Sequence, residues 1–255
     1  TFPITINSNI TASATNTLTI RPSSGVSPEI SGSSASAIIR LNGADFIIID
    51  GSNTVGGTSR NLTISNSNSG TSSVVLMLSS ASAADGANDN TIRNISTLGQ
   101  ASSTTFVGIY SGSGSSVGSS SEAAHNNNQY INNSIARSSY GIAIVGASGG
   151  QTGNTLSNNT IGSTTVANYI GYIGVFLSNL NGAQFTSNTI QNIITTSTNP
   201  VGLNIAGNVV NSSFNANNIK SIHYTGIGGY GGKGINIYTG TASSNLTISN
   251  NMISS

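Results

Sequence analysis

The 255 residues contain no cysteine, which removes disulfides and thiolate metal sites from consideration. Charge is nearly as scarce: Asp, Glu, Lys and Arg make up 5% of the chain, against roughly 25% in an ordinary soluble protein. The net charge of +1 provides no long-range field to recruit nucleic acid, anionic lipid or an acidic substrate. The seven Lys and Arg are scattered, with no stripe interleaved with aromatics, so no nucleic-acid partner is expected. The longest apolar run, Phe46 to Ile49, falls far short of the roughly 20 residues a membrane-spanning helix needs. Helix-forming periodicity is also missing: no long i, i+3, i+4 pattern occurs, and β-branched residues dominate the apolar positions.

Asn, Ser, Thr and Gly fill the space left by charge, and they recur in phrases. The pattern apolar-x-x-Asn-x-Ile occurs at Tyr130/Asn133/Ile135, Leu156/Asn159/Ile161, Phe185/Asn188/Ile190, Phe214/Asn217/Ile219 and Ile248/Asn251/Ile253. A weaker copy reads Ala87/Asn90/Ile92. Between these copies runs a second phrase with period two, beginning at Gly108, Gly141, Gly174, Gly202 and Gly234. Its alternation describes a strand with one buried face. Two phrases marching together at about thirty residues per repeat describe the coils of a β-solenoid. Equivalent strands then stack about 4.8 Å apart.

The expected architecture is therefore all-β: a single-domain parallel β-helix of about eight coils, continuous over residues 1–255. A loop excursion is expected near 111–128, where "SGSGSSVGSSSEAAHNNN" leaves the pattern. The motif asparagines should stack at a bend and tolerate its left-handed conformation. Ile109, Ile142, Val175, Leu203 and Ile235 should form one inward file. Outward, Met77, Tyr110 and Phe176 form an apolar stripe that is either a docking face or covered by loops.

The segments "NTLSNNTIG", "AQFTSNTIQNI" and "GLNIAGN" resemble the repeats of the pectate-lyase-like superfamily of right-handed parallel β-helices. The N-terminal run from "LTIRPSSG" to "IIIDGSN" resembles the β-helical regions of large secreted bacterial surface proteins. The resemblance implies right-handed coils and an extracellular or cell-surface location. It specifies a scaffold rather than a reaction.

Enzymes of that superfamily use clustered Asp with Ca²⁺ and a basic residue, or a carboxylate pair. Here the fallback cluster is Asp50, Asp85 and Asp89 with Arg60 and Arg93. Asp50 and Asp85 each open an Asp-Gly dipeptide, which is first of all a turn signal. "DGANDN" lacks the alternating ligands and late bidentate Glu of a Ca²⁺ loop, so no metal or other cofactor is expected. "GIGGYGGKG" at Gly226 to Gly234 precedes a strand instead of following one, which reads as a turn and not a nucleotide loop. His125 and His223 stand alone, as surface or loop residues. "TLT" at Thr17 to Thr19 is a single instance of the Thr-x-Thr ranks an ice-binding face requires.

The chain starts at Thr1 without a leader-like segment and carries the repeat motif to its last residues. The expectation is either a piece of a longer surface protein or a coil stack that self-associates head to tail. The functional expectation is a non-enzymatic structural or adhesive rod, with a possible glycan or cell-surface partner. The alternative is a carbohydrate-binding adhesin or a polysaccharide lyase or hydrolase.

Overall fold

Each winding of the chain contributes one strand to each of three eight-stranded parallel sheets, as shown by a computed structural model that describes all 255 residues. Sheet 1 runs from Ile4–Asn7 to Lys233–Ile237, sheet 2 from Leu18–Ile20 to Thr247–Ser249, and sheet 3 from Glu29–Gly32 to Met252–Ser254. The only helical element is the short 3₁₀ turn Val166–Asn168. The chain is a single-domain parallel β-solenoid of eight coils.

The registers show why the phrases repeat. In sheet 1, Ile109, Ile142, Val175, Leu203 and Ile235 are successive partners. Tyr130, Leu156, Phe185, Phe214 and Ile248 form the inward file of sheet 2. Sheet 3 stacks Ile135, Ile161, Ile190, Ile219 and Ile253. These files merge into one apolar core of 34 buried residues. Each fully buried aliphatic contributes about 1.5–3 kcal/mol.

The glycine that opens the second phrase has a steric cause. A Cβ on Gly141, Gly174 or Gly202 would lie 2.3, 2.5 or 2.6 Å from the Cγ2 of Ile161, Ile190 or Ile219. Sheet 1 can approach the isoleucine file of sheet 3 only where no side chain intervenes. At Gly174 the same Cβ would also lie 2.6 Å from the carbonyl oxygen of Gly202, which is backbone and cannot swing aside. Gly174→Ala is therefore expected to lose about 2–3 kcal/mol by overpacking, read as a lowered thermal midpoint. Gly149→Ala, with nothing within 4 Å of its Cβ, should leave that midpoint in place.

The motif asparagines stack at the corner between sheets 2 and 3. Asn188 shows the pattern. Its Oδ1 accepts from the backbone N (3.0 Å) and Nδ2 (2.9 Å) of Asn159, while its Nδ2 donates to Leu156 O at 2.9 Å and to Asn217 Oδ1 at 3.1 Å. Asn133, Asn159, Asn217 and Asn251 continue the ladder. Two expectations are corrected. The left-handed conformation belongs to the residue before each ladder asparagine: Asn132, Asn158, Ser187, Ala216 and Asn250 have φ of 52°, 57°, 57°, 55° and 54°. Asn90 is not a copy of Asn133 either. It belongs to a separate ladder at the corner of sheets 1 and 2, where its backbone N donates to Asn128 Oδ1 and that of Asn128 to Asn154 Oδ1. The coil equivalent of Asn133 is Ile95, whose N donates to Asn133 Oδ1.

The outward stripe of sheet 1 is covered from within the chain. Met77 and Tyr110 are fully buried beneath the excursion that separates the strands Val107–Ser111 and Gln129–Ile131. The Tyr110 hydroxyl donates to Ser119 O and accepts from Gly118 N, both at 2.9 Å, and burial pushes its pKa up to about 12. The excursion ends on His125, which is fully buried rather than a surface residue. Its Nε2 lies 3.0 Å from Ser80 Oγ and its Nδ1 2.9 Å from Ser111 Oγ. Its pKa is pushed down to about 4, because burial disfavours the imidazolium. Ser–His contacts so enclosed, with no carboxylate orienting the ring, do not form a catalytic triad.

Candidate functional site

The structure divides the five sequence-nominated residues between two corners. Asp50, Arg60 and Arg93 gather where sheet 2 turns into sheet 3. Asp50 ends the strand Ile47–Asp50, and its register partner one coil on is Arg93. Stacking alone therefore brings their side chains together, with Arg93 Nη2 at 2.9 Å from Asp50 Oδ2. The Asp50 side chain is 2% exposed and that of Arg93 40%. Burial alone would raise the Asp50 pKa. Hydrogen bonds from Asn94 Nδ2 (2.8 Å) and Ser52 N (3.0 Å), with the Arg93 charge, outweigh it and leave the carboxyl lowered. Asp50 is thus an ionised anchor for Arg93 and not a proton donor. The Ser52 bond also confirms the Asp-Gly turn reading at this position.

After Gly51 the chain leaves the coil and folds over this corner, returning at Asn61, whose N donates to Gly51 O. Gly51 itself is required there, since a Cβ would lie 1.9 Å from Asn94 O. The flap is tied to the coils beneath by asparagine amides. Asn94 Nδ2 donates to Gly57 O at 3.2 Å, and Asn132 Nδ2 donates to Thr58 O at 2.7 Å and Asn94 Oδ1 at 2.8 Å. From the flap, Arg60 donates through Nε to Asn132 O and through Nη2 to Asn132 Oδ1, both at 2.8 Å. Its Nη2 also reaches Thr160 Oγ1 at 3.4 Å. Burial lowers the Arg60 pKa, yet a guanidinium remains charged.

Between flap and corner lies a cleft of about 510 Å³ lined by Gly56, Thr58, Arg93, Asn94, Asn132 and Asn158 among others. No carboxylate lines it. Arg93 Nε, although buried, has no hydrogen-bond partner, an unsatisfied donor on a cation already fixed in place. The arrangement suits an anionic, hydroxyl-bearing ligand: a guanidinium for the charge and the Asn158 amide for a hydroxyl, the Nδ2 groups of Asn94 and Asn132 being already committed within the protein. A net charge of +1 concealed this local concentration of donors.

Asp85 and Asp89 lie elsewhere, at the corner of sheets 1 and 2, with Asp45 as an unforeseen neighbour. Asp45 Oδ1 accepts from Asn88 N at 2.6 Å, and Asp89 Oδ1 from Asn127 Nδ2 at 3.1 Å. The Asp45 pKa is raised, mainly by burial and secondarily by Asp85 and Asp89. Asp85 closes a tight turn through a backbone pairing with Ser82, so the turn precedes the Asp-Gly dipeptide instead of starting at it. No group of three His, Cys, Asp or Glu is arranged to hold a metal ion. The glycine-rich stretch from Gly226 is a turn entering the strand Lys233–Ile237, and His223 is exposed on sheet 3.

The residues missed from sequence are Asn94, Asn132 and Asn158. Their signal was the doubled Asn-Asn at 132–133 and 158–159, in which the first residue makes the turn and the second the ladder.

No protein family matches the chain, and no curated protein does. Among solved structures, the alginate lyase from Paenibacillus sp. str. FPU-7 is similar over 94% of this chain and 85% of its own, at 17% identity and a TM-score of 0.39. That likeness concerns the β-solenoid fold. The expectation of a non-enzymatic structural or adhesive rod finds no support here: Met77 and Tyr110 of the apolar stripe that would serve docking are buried beneath the chain's own excursion, and Phe176 is half-buried. No helix is long and apolar enough to cross a membrane.

Proposed function

We propose that this chain acts on acidic polysaccharides by lyase-type cleavage, with the flap-covered cleft at the corner of sheets 2 and 3 as its uronate site. One observation carries the reading: Arg93, held by Asp50 yet 40% exposed, lines a cleft that holds asparagines and no carboxylate. A uronate carboxylate would pair with the exposed part of that guanidinium. In elimination, neutralising the carboxylate makes the adjacent C–H acidic; water takes that proton, the C–H electron pair becomes the C=C bond as the bond to the glycosidic oxygen breaks, and the departing oxygen takes a proton back from water. Arg93 would bind the carboxylate and Asn158 would orient a sugar hydroxyl, while Asn94 and Asn132 hold the flap that shapes the cleft. Hydrolysis needs two carboxyl groups facing across the bond, and Asp50 is ionised, committed to Arg93 and alone. A polymeric substrate would place this activity outside the cell.

The test is incubation with polyguluronate, polymannuronate and polygalacturonate, following the ultraviolet absorbance of unsaturated uronate ends. Arg93→Ala is expected to lower the rate about 100-fold, the loss of one charged, well-positioned donor, with its circular dichroism spectrum unchanged. The proposal fails if none of these polymers yields an unsaturated product, or if Arg93→Ala cleaves them as fast as the parent.

A further inference from the structure

A second cleft, at the corner where sheet 3 turns into sheet 1, differs in chemistry from the first. Turns from successive coils wall off about 400 Å³, and no charged side chain lines it. Its lining is made of hydroxyls, among them Ser102, Ser139, Thr195 and Thr198, and of two half-buried tyrosines, Tyr169 and Tyr172.

The tyrosines stand on well-held backbone. Tyr172 N donates to Ser139 O at 2.9 Å, and its own carbonyl accepts from Val201 N at 3.0 Å. Ile170, between the tyrosines, makes a parallel bridge to Ile193. Gly171 is needed for the approach to the next turn, because a Cβ would lie 2.2 Å from Ser102 O. The Tyr172 ring is set edge-on to Tyr140, with centroids 5.4 Å apart at 86°. Tyr140 is braced in turn by Phe106 at 4.9 Å and Phe176 at 6.2 Å. Tyrosine side chains among small hydroxyls are complementary to a pyranose, whose axial C–H groups form an apolar face and whose rim carries hydroxyls.

Between the two clefts lies a third depression of about 330 Å³ on the outer face of sheet 3, lined by Thr63, Ser96, Ser134, Thr160 and Asn168 among others. Arg60 touches Thr160 at one end, and Asn168 immediately precedes Tyr169 at the other.

We propose that the Tyr169/Tyr172 cleft is a subsite for a neutral sugar residue, and that the substrate is a heteropolysaccharide in which uronates and neutral sugars share one chain. The substrate assignment rests on the acidic-polymer reading above; binding of a neutral sugar by the tyrosine cleft does not.

The experiment measures binding of cellohexaose, mannohexaose and galactohexaose, all uncharged, by isothermal titration calorimetry and saturation-transfer NMR. At least one should bind. Tyr172→Ala should weaken it about tenfold, equivalent to about 1.4 kcal/mol, and Tyr172→Phe should retain it because the ring face persists. Ser103→Trp fills the cleft from its exposed rim without disturbing Tyr140, and should abolish binding even if Tyr172→Ala folds poorly. Arg93→Ala should leave neutral-sugar binding intact while losing uronate cleavage, so each reading fails on its own evidence. The subsite is overturned if no neutral hexasaccharide binds, if Ser103→Trp binds as the parent does, or if Arg93→Ala abolishes neutral-sugar binding.

Discussion

Asn188→Ala is expected to cost about 3–4 kcal/mol, measured as a drop in the urea midpoint at constant slope. The substitution removes five hydrogen bonds at a position 1% exposed. The partners do not disappear with the side chain. Asn159 N and Nδ2, Leu156 O and Asn217 Oδ1 remain inside, and each buried unsatisfied polar group costs about 1–3 kcal/mol, partly relieved by rearrangement. Ala216→Gly, one residue before Asn217 in the ladder, should move the other way. Ala216 holds φ at 55°, and glycine adopts that conformation without strain. A stabilising Ala216→Gly beside a destabilising Asn188→Ala would separate the two tasks of the corner, turning and bonding. If Asn188→Ala left the midpoint unchanged, water or a shifted coil would be replacing the ladder, and the account of the corner would be wrong.

The second large effect is acid sensitivity. His125 has a pKa of about 4 in the folded chain against 6.5 when unfolded. Between these values the unfolded chain binds a proton that the folded chain refuses. Stability is therefore fully present above about pH 6.5 and declines as pH falls toward about 4, by about 3 kcal/mol in all. Asp50 and Glu122, both lowered, act in the same direction but below their ordinary range near 3.8 and 4.5. Asp45, raised from 3.8 chiefly by burial, opposes them. The intermediate window belongs to His125. Chemical denaturation at pH 7, 6, 5 and 4 should show this slope, and His125→Asn should flatten it, whatever its stability at neutral pH. An equal slope in the variant would assign the acid sensitivity to the carboxylates.

Much of the scaffold was legible because a solenoid repeats its demands. Ile161, Ile190 and Ile219 meet the same neighbours in successive coils, so each coil selects the same residue type. Gly141, Gly174 and Gly202 recur for the same reason, set by the isoleucines they face. Reading failed where one residue type serves two purposes. Asn90 and Asn133 are both ladder asparagines, but they bond at different corners, and a motif of six positions does not name its corner. His125 was read as a surface or loop residue because its neighbours are Ala, Asn and Glu; it lies in a loop, but a buried one. Its burial comes from Ser80, 45 residues away in sequence.

The candidate site was half visible. Asp50 and Arg93 stand out in a chain so poor in charge, and stacking makes them partners. Asp85 and Asp89 were grouped with them on a single coil spacing, which cannot separate opposite corners of the same winding. Asn94, Asn132 and Asn158 were hidden among abundant asparagines.

The order of residues along the chain was enough to determine the coil, its core files and its ladders, because these arise from contacts between equivalent positions one winding apart. The clefts were decided only by the tertiary structure. They form where segments outside the repeat, the flap from Gly51 to Asn61 and the turn at Tyr169 to Tyr172, fold back over coils not adjacent to them. No periodicity constrains such contacts: Arg60 meets Asn132 across 72 residues, a separation set by how far the flap reaches and not by the repeat.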